Sequence, residues 1–160
     1  MKKPNLAPYL PLGVPAAAVA GYLRLALGLA LLVSFRFLFA FASALQELYY
    51  TDLSGRRLLT PGAVMPAFSQ LLPGVFWGFW AVAALMPAAA LGLYLSHYQG
   101  SRSIYTMRRL PNRGELWRRC LAVPAATALT ALAAVAVLTA VYFGIYLIFT
   151  PAACLPGRLI

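Results

Sequence analysis

Three long stretches of the chain carry almost no polar side chains. They run over about 15–44, 75–98 and 120–149. Each supplies the ~20 apolar residues that a helix needs to cross the hydrocarbon core of a bilayer. The pattern predicts an all-α integral membrane protein with three transmembrane helices, forming a single transmembrane domain over 1–160. Pro15 suits the first turn of the first helix, where its missing N–H costs nothing. That helix has the composition to continue to Tyr49 or Tyr50.

Lys2 and Lys3 resemble the n-region of a signal peptide, and Ala16-Ala17-Ala18 contains an A-x-A. The triplet precedes the long apolar run, whereas a cleavage site follows a run of about 7–15 residues. The first block is therefore expected to remain as an uncleaved transmembrane helix.

The segments between the spans carry turn and interface signals. In the first loop, about 45–72, Tyr49 and Tyr50 suit an aromatic belt and Asp52-Leu53-Ser54-Gly55 reads as a turn. Thr60-Pro61 is a good helix start, with Thr as N-cap. It predicts a short outer interfacial helix within 61–72, interrupted or restarted at Pro66 and ended by Pro73-Gly74. The second span opens on Phe76-Trp77-Gly78-Phe79-Trp80, an interfacial aromatic cluster. Pro87 is expected to kink that span. The third is rich in Ala, and small residues let helices approach closely.

Composition agrees with this reading. The chain is 62% hydrophobic and 10% charged, with a mean hydropathy of +0.79. A soluble domain carries about 25% charged residues, so too little polar surface remains to coat a globule in water. The net charge of +10 comes from 13 Lys+Arg against 3 Asp+Glu. No nucleic-acid motif accompanies it, and no nucleic acid is expected as a partner. The charge instead orients the chain. Three spans put the N-terminus and the 99–119 loop on one side, with Lys2, Lys3 and six arginines, against Arg56, Arg57 and Arg158 on the other. The positive-inside rule then predicts a multi-pass plasma-membrane protein with a cytoplasmic N-terminus and an external C-terminus.

Candidate chemistry is sparse. The single His97 and Glu115 belong to the inner face, and Glu47 and Asp52 to the outer one. No paired carboxylates, nucleophile–base arrangement, metal-ligand spacing or Gly-rich phosphate loop is present. No catalytic residue, cofactor or metal is expected. Cys120 and Cys154 lie at opposite ends of the third span, ~30 Å or more apart. A disulfide needs Cα atoms within about 7 Å, so they do not pair within one chain.

Two arginines interrupt the first span. Arg24, near its start, is expected to snorkel to the headgroups. Arg36 lies deeper, inside Phe35-Arg36-Phe37-Leu38-Phe39, as the intramembrane polar candidate. Such a charge faces a partner subunit or a conduit. Alternatively it snorkels through helix tilt, or stacks on its phenylalanines.

The 99–119 loop is the most informative segment. Ser101 or Ser103 can cap a short helix on which Ile104, Met107 and Leu110 form an apolar stripe. Pro111 stops that helix. Asn112 then caps the next, with Glu115 three residues on, in a capping-box-like pattern. The prediction is a short cytoplasmic coupling-type helix, closely joined to the third span.

In these residues the loop resembles the intracellular coupling region between the second and third membrane helices of type-2 ABC exporter permeases. The shared features are a Gly100-Ser101 start, a short helix over 104–109, Leu110-Pro111, then Asn112-Arg113 before the next span. The resemblance implies docking of Ile104, Tyr105, Met107, Arg108, Arg109 and Leu110 on a separate ATP-binding subunit. Such permeases usually have six spans; the chain has three, as would half of a split permease, a chain that dimerises, or an accessory subunit. Each implies a homo- or hetero-oligomer. Where the family usually has an acidic residue early in the coupling helix, Arg102 and Arg108 stand. Read without the resemblance, the basic loop sets topology and binds anionic lipid, as in a small membrane scaffold or regulatory subunit.

Overall fold

The computed structural model of the chain describes residues 9–11, 14–52, 55–99 and 115–155. Helices α1 (Ala16–Ser34) and α2 (Arg36–Glu47) form the first apolar span. A short hairpin follows, β1 (Tyr49–Thr51) and β2 (Arg57–Leu59), then one helical turn, α3 (Phe68–Leu71). Helix α4 (Trp77–Gln99) returns along α1, and α5 (Glu115–Phe149) runs back beside α4. A 3₁₀ turn, Ala152–Cys154, follows α5. Among the described residues, three helices are thus long and apolar enough to cross a membrane. The outward-facing Leu25, Leu29, Leu129 and Ile148 give the bundle the apolar exterior that lipid requires.

The break between α1 and α2 has a local cause. The Ser34 hydroxyl donates to the Leu31 carbonyl at 2.7 Å, a back-bond that competes with the helix ladder. The next N–H, of Phe35, donates to Leu32 three residues back, and the chain tightens there before α2 begins.

The helices differ in length. Helix α4 has 23 residues, the Ala16–Glu47 span has 32 and α5 has 35. At 1.5 Å per residue α4 is about 35 Å long, a little over the hydrocarbon thickness, and the others about 50 Å. Their excess gathers at the end of the bundle where α4 begins, hereafter the cap end. There α2, the last turns of α5 and the 60–76 segment enclose an aromatic core. Phe37 stacks on Tyr142 with ring centroids 4.6 Å apart, and Phe68 meets Phe37, Phe143 and Tyr146 edge-on. Two polar contacts fasten the 60–76 segment to the end of α5. The Tyr146 hydroxyl donates to the Pro66 carbonyl at 3.0 Å, and the Met65 N–H to the Cys154 carbonyl at 2.8 Å.

Nearer the middle of the bundle, Ala30 of α1, Phe79 and Val82 of α4 and Ala131 of α5 form a second buried cluster. The closest approach is at Gly78. A Cβ added there would lie 2.7 Å from Ala30 Cα, so the two backbones nearly touch. Of the aromatics that open α4, Trp77 and Trp80 face outward while Phe79 packs inward.

In the 45–72 loop the expected turn is present, but the short helix starts later than Thr60-Pro61 suggests. The Asp52–Gly55 turn closes a β-hairpin, with Tyr49 opposite Leu59 and Thr51 opposite Arg57. Gly55 takes φ 75°, a conformation open to glycine at little cost. The helix expected from Thr60-Pro61 does not start there. Gly62 turns the chain at φ 79°, and only Phe68–Leu71, beyond Pro66, is helical.

Candidate functional site

Ile104, Tyr105, Met107, Arg108, Arg109 and Leu110 lie outside the described residues, as does the Asn112 cap. The helices on either side of them are described. Tyr94 of α4 and Trp117 of α5 stack with ring centroids 4.5 Å apart and planes 25° from parallel. This stack joins α4 and α5 at the end from which the 100–114 connection leaves, hereafter the loop end. It fixes the spacing of the two helices there. Arg118 is exposed and Arg119 half-buried beside it.

The two arginines of the first span take positions that sequence position alone does not reveal. The contact between Gly78 and Ala30 sets α1 in register with α4. Arg36 is six residues beyond Ala30, about 9 Å toward the cap end. Its guanidinium therefore reaches the level at which α4 begins. A Cβ added at Gly74 would meet Arg36 Nη1 at 3.4 Å and Trp77 Cδ1 at 3.6 Å.

Arg24 is six residues before Ala30, about 9 Å toward the loop end. Its Cα is thus about 10 Å inside the start of α4 at the cap end and, eight residues into α1, about 12 Å from the start of α1 at the loop end. Long helical side chains point back toward the helix N-terminus. That direction carries the Arg24 guanidinium toward the loop end, along the groove. Relative to α4, Arg24 is the deep arginine and Arg36 the shallow one.

Arg24 lines a groove of about 630 Å³ between α1 and α5. Both helices pack on α4; Ser34 and Tyr142 hold them together toward the cap end, and they part toward the loop end. The α1 wall is Ala20, Leu23, Arg24 and Leu27, and the α5 wall includes Ala122, Ala126, Thr127 and Thr130, with Tyr9 at the edge. The Thr127 and Thr130 hydroxyls donate to the Val123 and Ala126 carbonyls, at 2.8 and 2.7 Å. Their protons are thus engaged, and the groove's polar donors are the Arg24 guanidinium and the Tyr9 hydroxyl. Ala20, Leu23, Arg24 and Leu27 follow helical spacing and share one face of α1, but nothing in the sequence of that apolar helix marks this face as the one turned to α5.

No group of three or more His, Cys, Asp or Glu side chains able to hold a metal occurs among the described residues. Cys120 and Cys154 are both buried free thiols. Glu47 and Asp52 sit at the cap end, and Glu115 begins α5 at the loop end. No protein-family model, curated protein or solved structure matches the chain. The functional reading therefore rests on its own residues.

Proposed function

We propose that the chain is the membrane-spanning subunit of an ABC-type export complex, driven by a separate ATP-binding subunit. In this reading the N-terminus and the 99–119 loop are cytoplasmic, as their basic residues require. The hairpin and α3 then lie at the outer face, with α3 as the short interfacial helix. A cytoplasmic helix over 104–110 presents Ile104, Met107 and Leu110 to the ATP-binding subunit, flanked by Tyr105, Arg108 and Arg109.

The observation that carries the proposal is where this loop is rooted. A docking element transmits movement only if it is joined to something stiff. The loop connects two long helices packed on each other, and the Tyr94–Trp117 stack clasps them at its base. Force on the loop thus passes to α4 and α5 as a pair. Through Gly78 and Ala30 it also reaches α1.

A second reading is favoured by the half-exposed Trp117 next to exposed Arg118, a pairing typical of a lipid-headgroup anchor. There the chain is a scaffold or regulatory subunit, and the loop binds anionic lipid at about 1 kcal/mol per basic residue.

Purification of the full chain from its own membrane in mild detergent separates the two. Export coupling requires an ATP-hydrolysing subunit to co-purify, and Met107→Ala or Arg109→Glu to release it without lowering the yield of the chain. If no ATPase is retained and both substitutions are silent, the coupling reading fails. Binding to phosphatidylglycerol vesicles that weakens with each loop Arg→Ala would then support the second reading.

A further inference from the structure

We propose that the groove between α1 and α5 receives a transmembrane helix of a different subunit, one that carries an Asp or Glu at mid-depth to pair with Arg24. The proposal needs only that the helices span a bilayer, and stands whether or not the 99–119 loop binds an ATPase.

Arg24 is always charged. Its Cα lies about 10 Å from the start of α4 at the cap end and about 12 Å from the start of α1 at the loop end. An arginine held that deep faces protein or water and pairs with an anion. No described residue makes a hydrogen bond or an ion pair with it. The remaining question is which anion reaches that depth.

A lipid headgroup does not. The hydrocarbon core is about 30 Å thick, so headgroups are about 15 Å from its middle. A second copy of the chain does not either. Its three acids are Glu47 at the end of α2, Asp52 in the hairpin and Glu115 at the start of α5. Each belongs to one end of the bundle. A carboxylate on another subunit's helix is the anion that can be fixed at mid-depth.

The walls suit a helix. Leu23 and Leu27 supply apolar contact, while Ala20, Ala122 and Ala126 let a backbone come close. The threonine protons are already engaged, so the walls offer little else for a carboxylate to bond. Charge at Arg24 therefore sets the register of the incoming helix. It also rejects helices that are wholly apolar there.

Photo-crosslinking of the full chain in its own membrane tests this. A benzoylphenylalanine is placed at Ala126, in the groove, or at Leu121, exposed on the far side of α5. The expected result is a protein adduct from Ala126 and not from Leu121. Peptide mapping should place it on a transmembrane helix with an acidic residue at mid-span. Arg24→Leu and Arg24→Glu should each lose the adduct while the chain remains in the membrane at normal yield. Exchanging the partner's acid for Lys in the Arg24→Glu background should restore it. Adducts with lipid alone, with a second copy of the chain, or with a protein whose capture ignores Arg24→Leu would each overturn the proposal.

Discussion

The Tyr142 hydroxyl donates to Ser34 Oγ across 2.9 Å, joining α5 to α1 through a buried contact between residues 108 positions apart. The direction follows from proton count. Ser34 has one hydroxyl proton, and it is engaged with the Leu31 carbonyl. Tyr142 must therefore be the donor. The same ring stacks on Phe37, so one side chain ties α5 to both halves of the first span.

This chain of donors predicts an asymmetry. Tyr142→Phe keeps the ring stack and leaves Ser34 bonded to Leu31, so it should cost about 0.5–1.5 kcal/mol. Ser34→Ala leaves the Tyr142 hydroxyl buried without an acceptor and should cost more, about 1–3 kcal/mol. The double variant should cost less than the sum, since the orphaned hydroxyl is then gone. Unfolding of the purified chain in detergent measures all three. A larger loss for Tyr142→Phe than for Ser34→Ala would reverse the donor assignment.

Gly78 and Gly92 lie on the same helix and should respond oppositely to the same change. A Cβ at Gly78 would sit 2.7 Å from Ala30 Cα and 3.1 Å from Ala30 Cβ, whereas a Cβ at Gly92 meets nothing within 4 Å. Gly78→Ala should force α1 from α4 and cost about 1–3 kcal/mol, the usual range for overpacking. Gly92→Ala should be neutral or stabilising by up to about 1 kcal/mol through helix propensity. Ala30→Gly should rescue Gly78→Ala only in part, because the nearer clash is with backbone. Equal effects at the two glycines would mean that α1 and α4 do not meet where the structure places them.

How much of this was legible in the sequence depends on the kind of information involved. The spans were, because an apolar run of 20 or more residues announces itself. Their packing was not. On helices apolar all round, such as α1 and α4, periodicity does not mark one face as the inner one. The arginines show the consequence. Depth counted from the start of the first block makes Arg36 the deep residue. That block is longer than a bilayer is thick, and the shorter α4, held against it at Gly78, sets the level. The hairpin was hidden for another reason. Strands of three residues carry no periodic signal, and only the Asp52–Gly55 turn betrayed it.

Gly74 offers a test of backbone conformation beside Arg36. At φ 81° it occupies the left-handed region, and the nearest atoms to its added Cβ would be the far end of the Arg36 side chain and the Trp77 ring. A flexible guanidinium can move aside, so the strain in Gly74→Ala should be chiefly backbone, about 1–2 kcal/mol. Gly74→Asn should cost less, since Asn tolerates this region better. Adding Arg36→Ala to Gly74→Ala should recover little. Full recovery on removing Arg36 would show that side-chain crowding, not φ, is the constraint.

The orientation of the bundle decides whether a cytoplasmic ATPase can reach the loop at all. The native thiols are poor reporters because Cys120 and Cys154 are both buried, and Cys154 should resist maleimide in the folded chain from either side. Better positions are Arg57→Cys, exposed in the hairpin, and Ser103→Cys in the basic loop, each with Cys120 and Cys154 replaced by Ala. With the basic residues inside, a membrane-impermeant maleimide added to intact cells should modify Arg57→Cys at once. Ser103→Cys should react only after the membrane is opened. The opposite order would put the loop outside, out of reach of any cytoplasmic ATP-binding subunit, and the export reading would fall. The groove at Arg24 would be untouched by that result, because mid-depth is the same distance from both faces.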